Sequence, residues 1–151
     1  MTLTKIFEFL TPEYILKKNK SPILKKGQKM SAENLIDELI EQERNVGGAA
    51  VLSKSGDLIC QTENWDLSSE IENILNVVES AKSSIIILGM KYMIVENTPE
   101  RIIGTNIQGK GHLILAPFEK GVLVTYIIPQ AGPRDALFNV QSFAQKINTI
   151  L

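Results

Sequence analysis

The chain contains 151 residues with 16 basic and 17 acidic side chains, and its formal net charge of −1 argues against a protein that coats nucleic acid. No apolar run reaches the ~20 residues of a membrane-spanning helix, and residues 1–10 lack the long apolar core of a secretory signal. Cys60 is the single cysteine, which excludes an internal disulfide, so we expect a cytoplasmic protein with one sizeable core.

Residues 1–30 differ in charge from the rest of the chain. They contain seven lysines against Glu8 and Glu13, about +5 by count, which leaves about −6 for residues 31–151. Pro12 and Pro22 interrupt any long helix here, so we expect a partly mobile extension before a domain over 31–151. The alternative is a basic arm that binds an acidic partner or anionic phospholipid. Its candidate lipid-binding residues are Lys17, Lys18, Lys20, Lys25 and Lys26.

A helix is predicted to begin at Ser31, whose side chain suits an N-cap, with Glu33 favourable in the first turn. Leu35, Ile36, Leu39 and Ile40 form its apolar stripe. Its solvated side is predicted to carry Glu38, Glu41, Glu43 and Arg44. Asn45 and Gly47-Gly48 are predicted to end it.

A hairpin is predicted next, with strands over residues 49–53 and 58–62 joined by a polar turn. Trp65 follows in a loop, and two interpretations stay open: an exposed partner contact or a ring packed under the loop. A second helix is predicted over residues 67–80, capped by Asp66. Its apolar face would consist of Ile71, Ile74, Leu75 and Val78.

Five further strands are predicted over residues 85–88, 92–95, 101–105, 112–116 and 122–128. Gly89 suits the tight turn between the first two. The connections are too short for crossover helices, so neighbouring strands are expected to be antiparallel. A last helix is predicted from near Pro133, which fits a first helical turn. The fold class is therefore α+β, with one antiparallel sheet of about seven strands flanked by terminal helices and a middle helix.

The sequence offers little for catalysis. His112 is the sole histidine, which makes a histidine-based metal site improbable and favours a structural or surface role. Cys60 with His112 lacks any nucleophile signature, and Cys60 fits a small apolar residue better. The acids Glu63, Asp66, Glu70 and Glu72 are explained by a solvated helix start. We therefore expect no enzyme, cofactor or metal site.

The element order is shared by two kinds of module. A roadblock or longin-like scaffold, which binds small GTPases or dimerises, has three strands after the middle helix, whereas profilin has a longer meander. The segments ILGMKYMIVEN, RIIGTNIQGKGHLIL, EKGVLVTYI and PQAGPRDALFNVQSF resemble the profilin meander and the start of its last helix. NLIDELI is similar to the first profilin helix. The resemblance covers residues 31–151, and a total of seven strands would favour profilin over the five-strand scaffold.

The resemblance implies a monomeric protein that binds or sequesters monomeric actin and regulates filament assembly in the cytoskeleton. In profilins the actin face combines later meander strands, their loops and the start of the last helix. The matching residues are Lys91, Thr105, Asn106, Lys110, His112, Gln130, Ala131, Gly132, Arg134 and Asp135. Lys110 and Arg134 would supply positive charge, and Gly132 would allow close backbone approach. Glu96 and Thr105 stand where many relatives carry basic residues.

Two departures indicate a divergent profilin, such as those of Asgard archaea. Profilins of plants, fungi and animals bind proline-rich peptides with aromatic side chains, but the matching positions here are Ala32, Leu35 and Ile59. The chain also ends at Leu151 without the usual tyrosine. Because proline-rich ligands need an aromatic-lined groove, we expect weak or undetectable polyproline binding. The 30-residue extension is atypical as well.

Overall fold

Three helices, a 3₁₀ turn and seven strands make up the part of the chain that the computed structural model describes, residues 31–151. The predicted extension and its candidate lipid-binding lysines lie outside these residues. The helices are α1 (Ala32–Gln42), α2 (Ile71–Glu79) and α3 (Leu137–Ile150), with the 3₁₀ turn at Pro133–Asp135. The strands are β1 (Val46–Ser53), β2 (Leu58–Gln61), β3 (Ser84–Ile87), β4 (Met90–Asn97), β5 (Ile102–Thr105), β6 (His112–Phe118) and β7 (Gly121–Ile127). None of these helices combines the length and apolar character that crossing a lipid bilayer requires.

The seven strands form one sheet in the order β2-β1-β7-β6-β5-β4-β3, and every neighbouring pair is antiparallel. The predicted α+β class and the antiparallel meander are confirmed. Pairing of β1 with β7, for example Ala50 with Val124, joins the first hairpin to the meander. The seven-strand count disfavours the five-strand scaffold alternative.

Alternation along the strands divides the core between the two faces of the sheet. On one face α1 and α3 cover residues such as Val51, Ile114 and Leu123. On the other face α2 and the Trp65 loop cover residues such as Leu115 and Val124. Both faces of β1 and β7 are therefore buried, which explains why these strands are apolar along most of their length.

The first helix begins as predicted, but the residues at its end differ from expectation. Ser31 Oγ accepts a hydrogen bond from the Asn34 N–H at 3.1 Å, which confirms the N-cap. Glu43 was predicted to be solvated, whereas it is only 8% exposed. Its carboxylate accepts hydrogen bonds from Asn139 Nδ2 at 2.9 Å and from the Asn45 N–H at 3.3 Å. The end of α1 lies against α3, and these bonds satisfy the buried carboxylate.

Gly47 and Gly48 do not end the helix as predicted, because both belong to β1. The Trp65 ring, 2% exposed, packs directly over Gly48, where a Cβ atom would come within 3.0 Å of the ring. Trp65 also lies beside Tyr126, with ring centroids 6.2 Å apart. Of the two interpretations of Trp65, the packed ring is therefore correct.

The second helix is shorter than predicted, because it begins at Ile71 rather than Leu67. Asp66 caps no helix: its carboxylate accepts hydrogen bonds from the Ser68 N–H at 2.9 Å and from Gln61 Nε2 at 3.0 Å. These bonds, Ser68 foremost, hold the pKa of Asp66 below its usual value. A local turn therefore competes with the helix for the residues after Trp65.

Strand boundaries differ from prediction by up to three residues, and the turn after β3 shows why. Leu88 and Gly89 both have positive φ, 51° and 79°, and form the two-residue turn, so β3 ends at Ile87 and β4 already begins at Met90. Two positive φ values match the right-handed twist of the flanking strands. At the other end of the chain, the 3₁₀ turn at Pro133–Asp135 delays α3 to Leu137.

Candidate partner-binding face

Among residues 31–151, the helices on the side of α1 and α3 pack mainly against one half of the sheet. The pairs Met93–Thr105 and Thr105–His112 place these three side chains on one face. His112 lies two residues before Ile114, so both side chains point to the same face of the sheet. Ile114 belongs to the core beneath α1 and α3, which identifies this face as the side on which these two helices lie. The contacts of α1 and α3 with the sheet are mainly with β1, β2, β6 and β7, so on this side Ile86 of β3 is exposed and Met93 and Thr105 of β4 and β5 are only half-buried. We define the open face as Lys91, Met93, Thr105, His112, the β5–β6 loop (106–111) and residues 129–134.

Three predicted site residues meet at the centre of the open face. Thr105 Oγ1 lies 3.1 Å from His112 Nδ1, and the backbone of Ala131 also hydrogen-bonds the histidine ring. Burial lowers the pKa of His112, and the bond with Ala131 opposes that shift. His112 is therefore neutral near pH 7 and joins β5 to the segment after β7.

The β5–β6 loop is held from inside by Asn106, which is 6% exposed. Its Nδ2 donates to the Lys91 carbonyl at 2.9 Å, and its Oδ1 accepts from the N–H groups of Gln108 at 2.9 Å and Lys110 at 3.2 Å. Asn106 was predicted as a direct contact, but this side chain points into the loop. It holds the backbone of Gln108 and Lys110 in place.

The end of the same loop is fixed by Tyr126 and Gly111. Tyr126 Oη donates to the Lys110 carbonyl at 2.6 Å. Gly111 has a φ of 112°, and a Cβ atom there would lie 2.4 Å from Tyr126 Oη, so only glycine fits. The loop therefore presents Ile107 and Lys110 in a defined position.

A cleft of about 410 Å³ separates the β5–β6 loop from the β3–β4 turn. Lys91 and Lys110 line it, and both residues are exposed. Within residues 31–151, neither lysine takes part in an ion pair. Their charges are therefore available to an acidic partner.

Arg134, by contrast, is engaged by Glu96. Arg134 Nη2 lies 2.6 Å from Glu96 Oε1, and Arg101 Nε contacts Glu96 Oε2. Hydrogen bonds from Arg134 first, and Arg101 second, hold the pKa of Glu96 below its usual value. This cluster links β4 to the 3₁₀ turn before α3, and it reduces the charge that Arg134 offers to a partner.

The last segment of the open face is shaped by Asp135. Its Oδ2 accepts a hydrogen bond from the Gly132 N–H at 2.9 Å, so this carboxylate closes the 3₁₀ turn. Gln130 and Gly132 are exposed, whereas Ala131 is only 9% exposed. The backbone of Ala131 therefore shapes the face more than its methyl group does.

Two prominent side chains at the border of the open face were missed by sequence reasoning. Ile107 is 78% exposed on the β5–β6 loop, and Phe138 is 81% exposed on α3. Phe138 lies outside the apolar stripe of α3, which contains Val140 and Phe143. An aromatic residue outside the apolar stripe of a helix is the sequence signal that could have identified Phe138.

Outside the open face, the part of the chain that the structure describes offers few side chains suited to metal binding or catalysis. It contains no cluster of three or more histidine, cysteine or acidic side chains able to hold a metal ion. Burial, reinforced by Glu33 and Asp37, raises the pKa of the Cys60 thiol to about 12. The thiol therefore stays protonated near pH 7.

Comparison with known proteins shows the family to which this chain belongs. The family model for profilin matches residues 30–149. The chain belongs to the profilin family. It is 45% identical to Loki profilin-1 of Lokiarchaeum sp. over 129 residues, covering 79% of this chain and 96% of the relative. It is 32% identical to Odin profilin of Odinarchaeota yellowstonii over 123 residues, covering 81% of this chain and 100% of the relative.

Solved structures of profilins agree with this assignment. The crystal structure of LokiProfilin1 matches with a TM-score of 0.75 at 46% identity, over 79% of this chain and 96% of that chain. A complex of LokiProfilin2 with rabbit actin matches with a TM-score of 0.74 at 45% identity, over 80% and 98%. Schizosaccharomyces pombe profilin, at 19% identity and a TM-score of 0.69 over 80% and 98%, shares the fold. The predicted resemblance to Asgard archaeal profilins is confirmed.

The positions at which many profilins carry proline-binding aromatics are different here. Ala32 and Leu35 are 6% and 4% exposed and belong to the core between α1 and α3. Ile59 is 39% exposed on β2 and is aliphatic. These residues provide no aromatic surface on which a proline ring stacks.

Proposed function

We propose that this profilin binds monomeric actin through its open face and thereby regulates filament assembly as a cytoplasmic, cytoskeletal protein. The observation that carries this proposal is that two Loki profilins, 44% and 45% identical to this chain, form complexes with rabbit actin. Both comparisons span at least 80% of this chain. The proposed activity is stoichiometric binding without catalysis.

The geometry of the open face supports this proposal. It is the part of the sheet that α1 and α3 cover least, and it combines two exposed lysines with the neutral Thr105–His112 pair. The β5–β6 loop is held in place before any partner arrives, which lowers the entropic cost of binding. Of the ten predicted contact residues, eight are exposed or half-buried, and Asn106 and Ala131 are buried.

A charge reversal tests the proposal. The full chain is titrated with monomeric actin by isothermal calorimetry, together with a variant that carries Lys110→Glu and Arg134→Glu. We expect affinity to fall by more than about tenfold, because a few residues dominate most interfaces. Lys54→Glu, at an exposed site in the β1–β2 turn, is the control with unchanged affinity.

Because Arg134→Glu also places two carboxylates near Arg101, Lys110→Glu is measured alone as well. This single variant leaves the Glu96 cluster intact and reports on the face directly. The face would be wrong if the double variant kept its fold and bound actin as tightly as the parent.

We also propose that residues 1–30 form a separate basic extension next to the actin-binding domain over residues 31–151. The seven lysines of this extension support attraction to anionic lipid head groups, with ~1 kcal/mol per lysine as an upper guide. This interaction is compatible with actin binding, because it involves a different part of the chain.

A further inference from the structure

Phe138 is the most exposed large apolar side chain in the described part of the chain, at 81%. Its neighbours in α3 behave differently: Val140 and Phe143 are buried, and Leu137 is half-buried against the core. The Phe138 ring therefore contributes almost nothing to the core of the free protein. Aromatic residues are enriched in protein–protein interfaces relative to the rest of the surface.

The contacts of neighbouring residues show which way Phe138 points. Four residues earlier, Arg134 pairs with Glu96 on β4 at 2.6 Å. Three residues later, Gln141 Nε2 donates to the Glu100 carbonyl in the β4–β5 turn at 3.4 Å. Residues three apart lie on one side of a helix, so Phe138 shares with Gln141 the side of α3 that faces the β4–β5 turn and borders the open face. Asn139, the next residue, is turned towards α1 instead.

On the C-terminal side of Phe138, the surface of α3 is polar but mostly uncharged. A groove of about 650 Å³ runs along α3 past Gln141, Ser142 and Gln145. Its single charged residue is Lys146, whose Nζ lies 4.3 Å above the Phe143 ring. On this side, a partner can desolvate the ring and the neighbouring amides and hydroxyls without burying an unpaired charge.

Ile107 is a second highly exposed apolar side chain, and it lies at the other end of the open face from Phe138. The β5–β6 loop that carries it lies beside Lys91 at the start of β4, whereas Phe138 lies near Glu96 towards the end of β4. At ~3.3 Å per residue, Lys91 and Glu96 are about 16 Å apart along the strand. Ile86, 52% exposed and paired with Lys91, lies at the same end as Ile107, whereas Phe138 is an exposed apolar side chain at the end away from the lysines.

We propose that Phe138 is the apolar anchor with which this profilin holds actin, its ring entering an apolar depression on the actin surface. The inference rests on the proposed function. The occupant is actin because Phe138 is continuous with the open face through the Arg134–Glu96 and Gln141–Glu100 contacts. The part of the affinity that Phe138 contributes then comes from burial of the ring and depends only weakly on ionic strength.

The test measures actin affinity of the full chain by calorimetry at about 50 mM and about 300 mM salt. Phe138→Ser removes the ring, and Phe138→Leu keeps a large apolar group. Ile59→Ser removes an exposed apolar side chain from β2 as the matched control. We expect Phe138→Ser to weaken binding about tenfold or more at both salt concentrations, Phe138→Leu by less than about threefold, and Ile59→Ser not at all. Thermal unfolding of Phe138→Ser stays at the parent temperature because the ring is exposed.

Four results overturn the anchor. If the parent binds actin and the Phe138→Ser variant binds it as tightly, Phe138 is not the anchor, while the proposed function stays intact. A loss that disappears at the higher salt concentration would contradict an apolar mechanism. A parent that sediments as a dimer and a Phe138→Ser variant that sediments as a monomer would show that a second copy covers the ring. A parent that does not bind actin at all overturns the proposed function, and the anchor with it.

Discussion

Replacing Asn106 with alanine tests how the β5–β6 loop of the open face is held in place, without changing the exposed side chains that would contact a partner. The side chain is buried and makes three hydrogen bonds, one to the Lys91 carbonyl and two from the N–H groups of Gln108 and Lys110. Asn106→Ala removes all three bonds but leaves every exposed side chain of the loop in the sequence. The loop then loses its internal fixation.

The expected loss of stability follows from these bonds. Each net hydrogen bond contributes about 0.5–1.5 kcal/mol, so three give about 1.5–4.5 kcal/mol. The loop lies at the surface, where water replaces some of the lost partners, so we expect a loss of about 2 kcal/mol in the free energy of unfolding. For a domain of this size the midpoint of thermal unfolding falls by about 6–8 °C. Actin affinity falls too, since Lys110 and Ile107 are no longer held in position.

Urea denaturation followed by tryptophan fluorescence measures the loss, because Trp65 is the single, buried tryptophan. Gln108→Ala is the matched control, and its exposed side chain predicts a change within about 0.5 kcal/mol. Asn106→Asp keeps the acceptor for two N–H groups but loses the donor to Lys91, so its stability should lie between the parent and Asn106→Ala. If Asn106→Ala unfolds at the same urea concentration as Gln108→Ala, the reasoning about the loop is refuted.

Three further predictions concern pH, peptides and lipids. The arginines beside Glu96 depress its folded pKa below the usual 4.5, so the stabilisation is present above that value and is lost as pH falls through the folded pKa. Melting temperatures between about pH 5 and pH 3 should therefore fall more steeply for the parent than for Glu96→Gln, and equal slopes would contradict the ion-pair cluster. A simple polyproline peptide should bind weakly or undetectably, because Ala32 and Leu35 are buried and Ile59 is aliphatic; micromolar binding between α1 and α3 in a titration would disprove this. Anionic liposomes should sediment more of the full chain than of a chain lacking residues 1–30, with a difference that fades as salt is added; equal sedimentation would rule out the basic extension as a lipid-binding arm.

Much of the fold is determined by local patterns that the sequence displays by itself. The apolar stripe after Ser31 predicts α1, and the N-cap forms as expected. Short strands and short connections predict an antiparallel meander, because no crossover helix fits between them. Most of the candidate site residues follow from the profilin resemblance, since order and spacing fix which strand and loop carry each one. Boundaries were less certain, as Leu88 shows, because a turn is defined by backbone angles and not by residue type alone.

The tertiary structure alone decided which of these side chains a partner can reach. Asn106 is buried and Phe138 is exposed, although polarity predicts the opposite for each. Glu96 neutralises Arg134 from 38 positions away, and Glu43 is buried because α3 lies against it. Periodicity reports on one element at a time, whereas burial and ion pairing depend on which elements meet. The register and order of the whole sheet determine which elements come into contact, and no local segment encodes them.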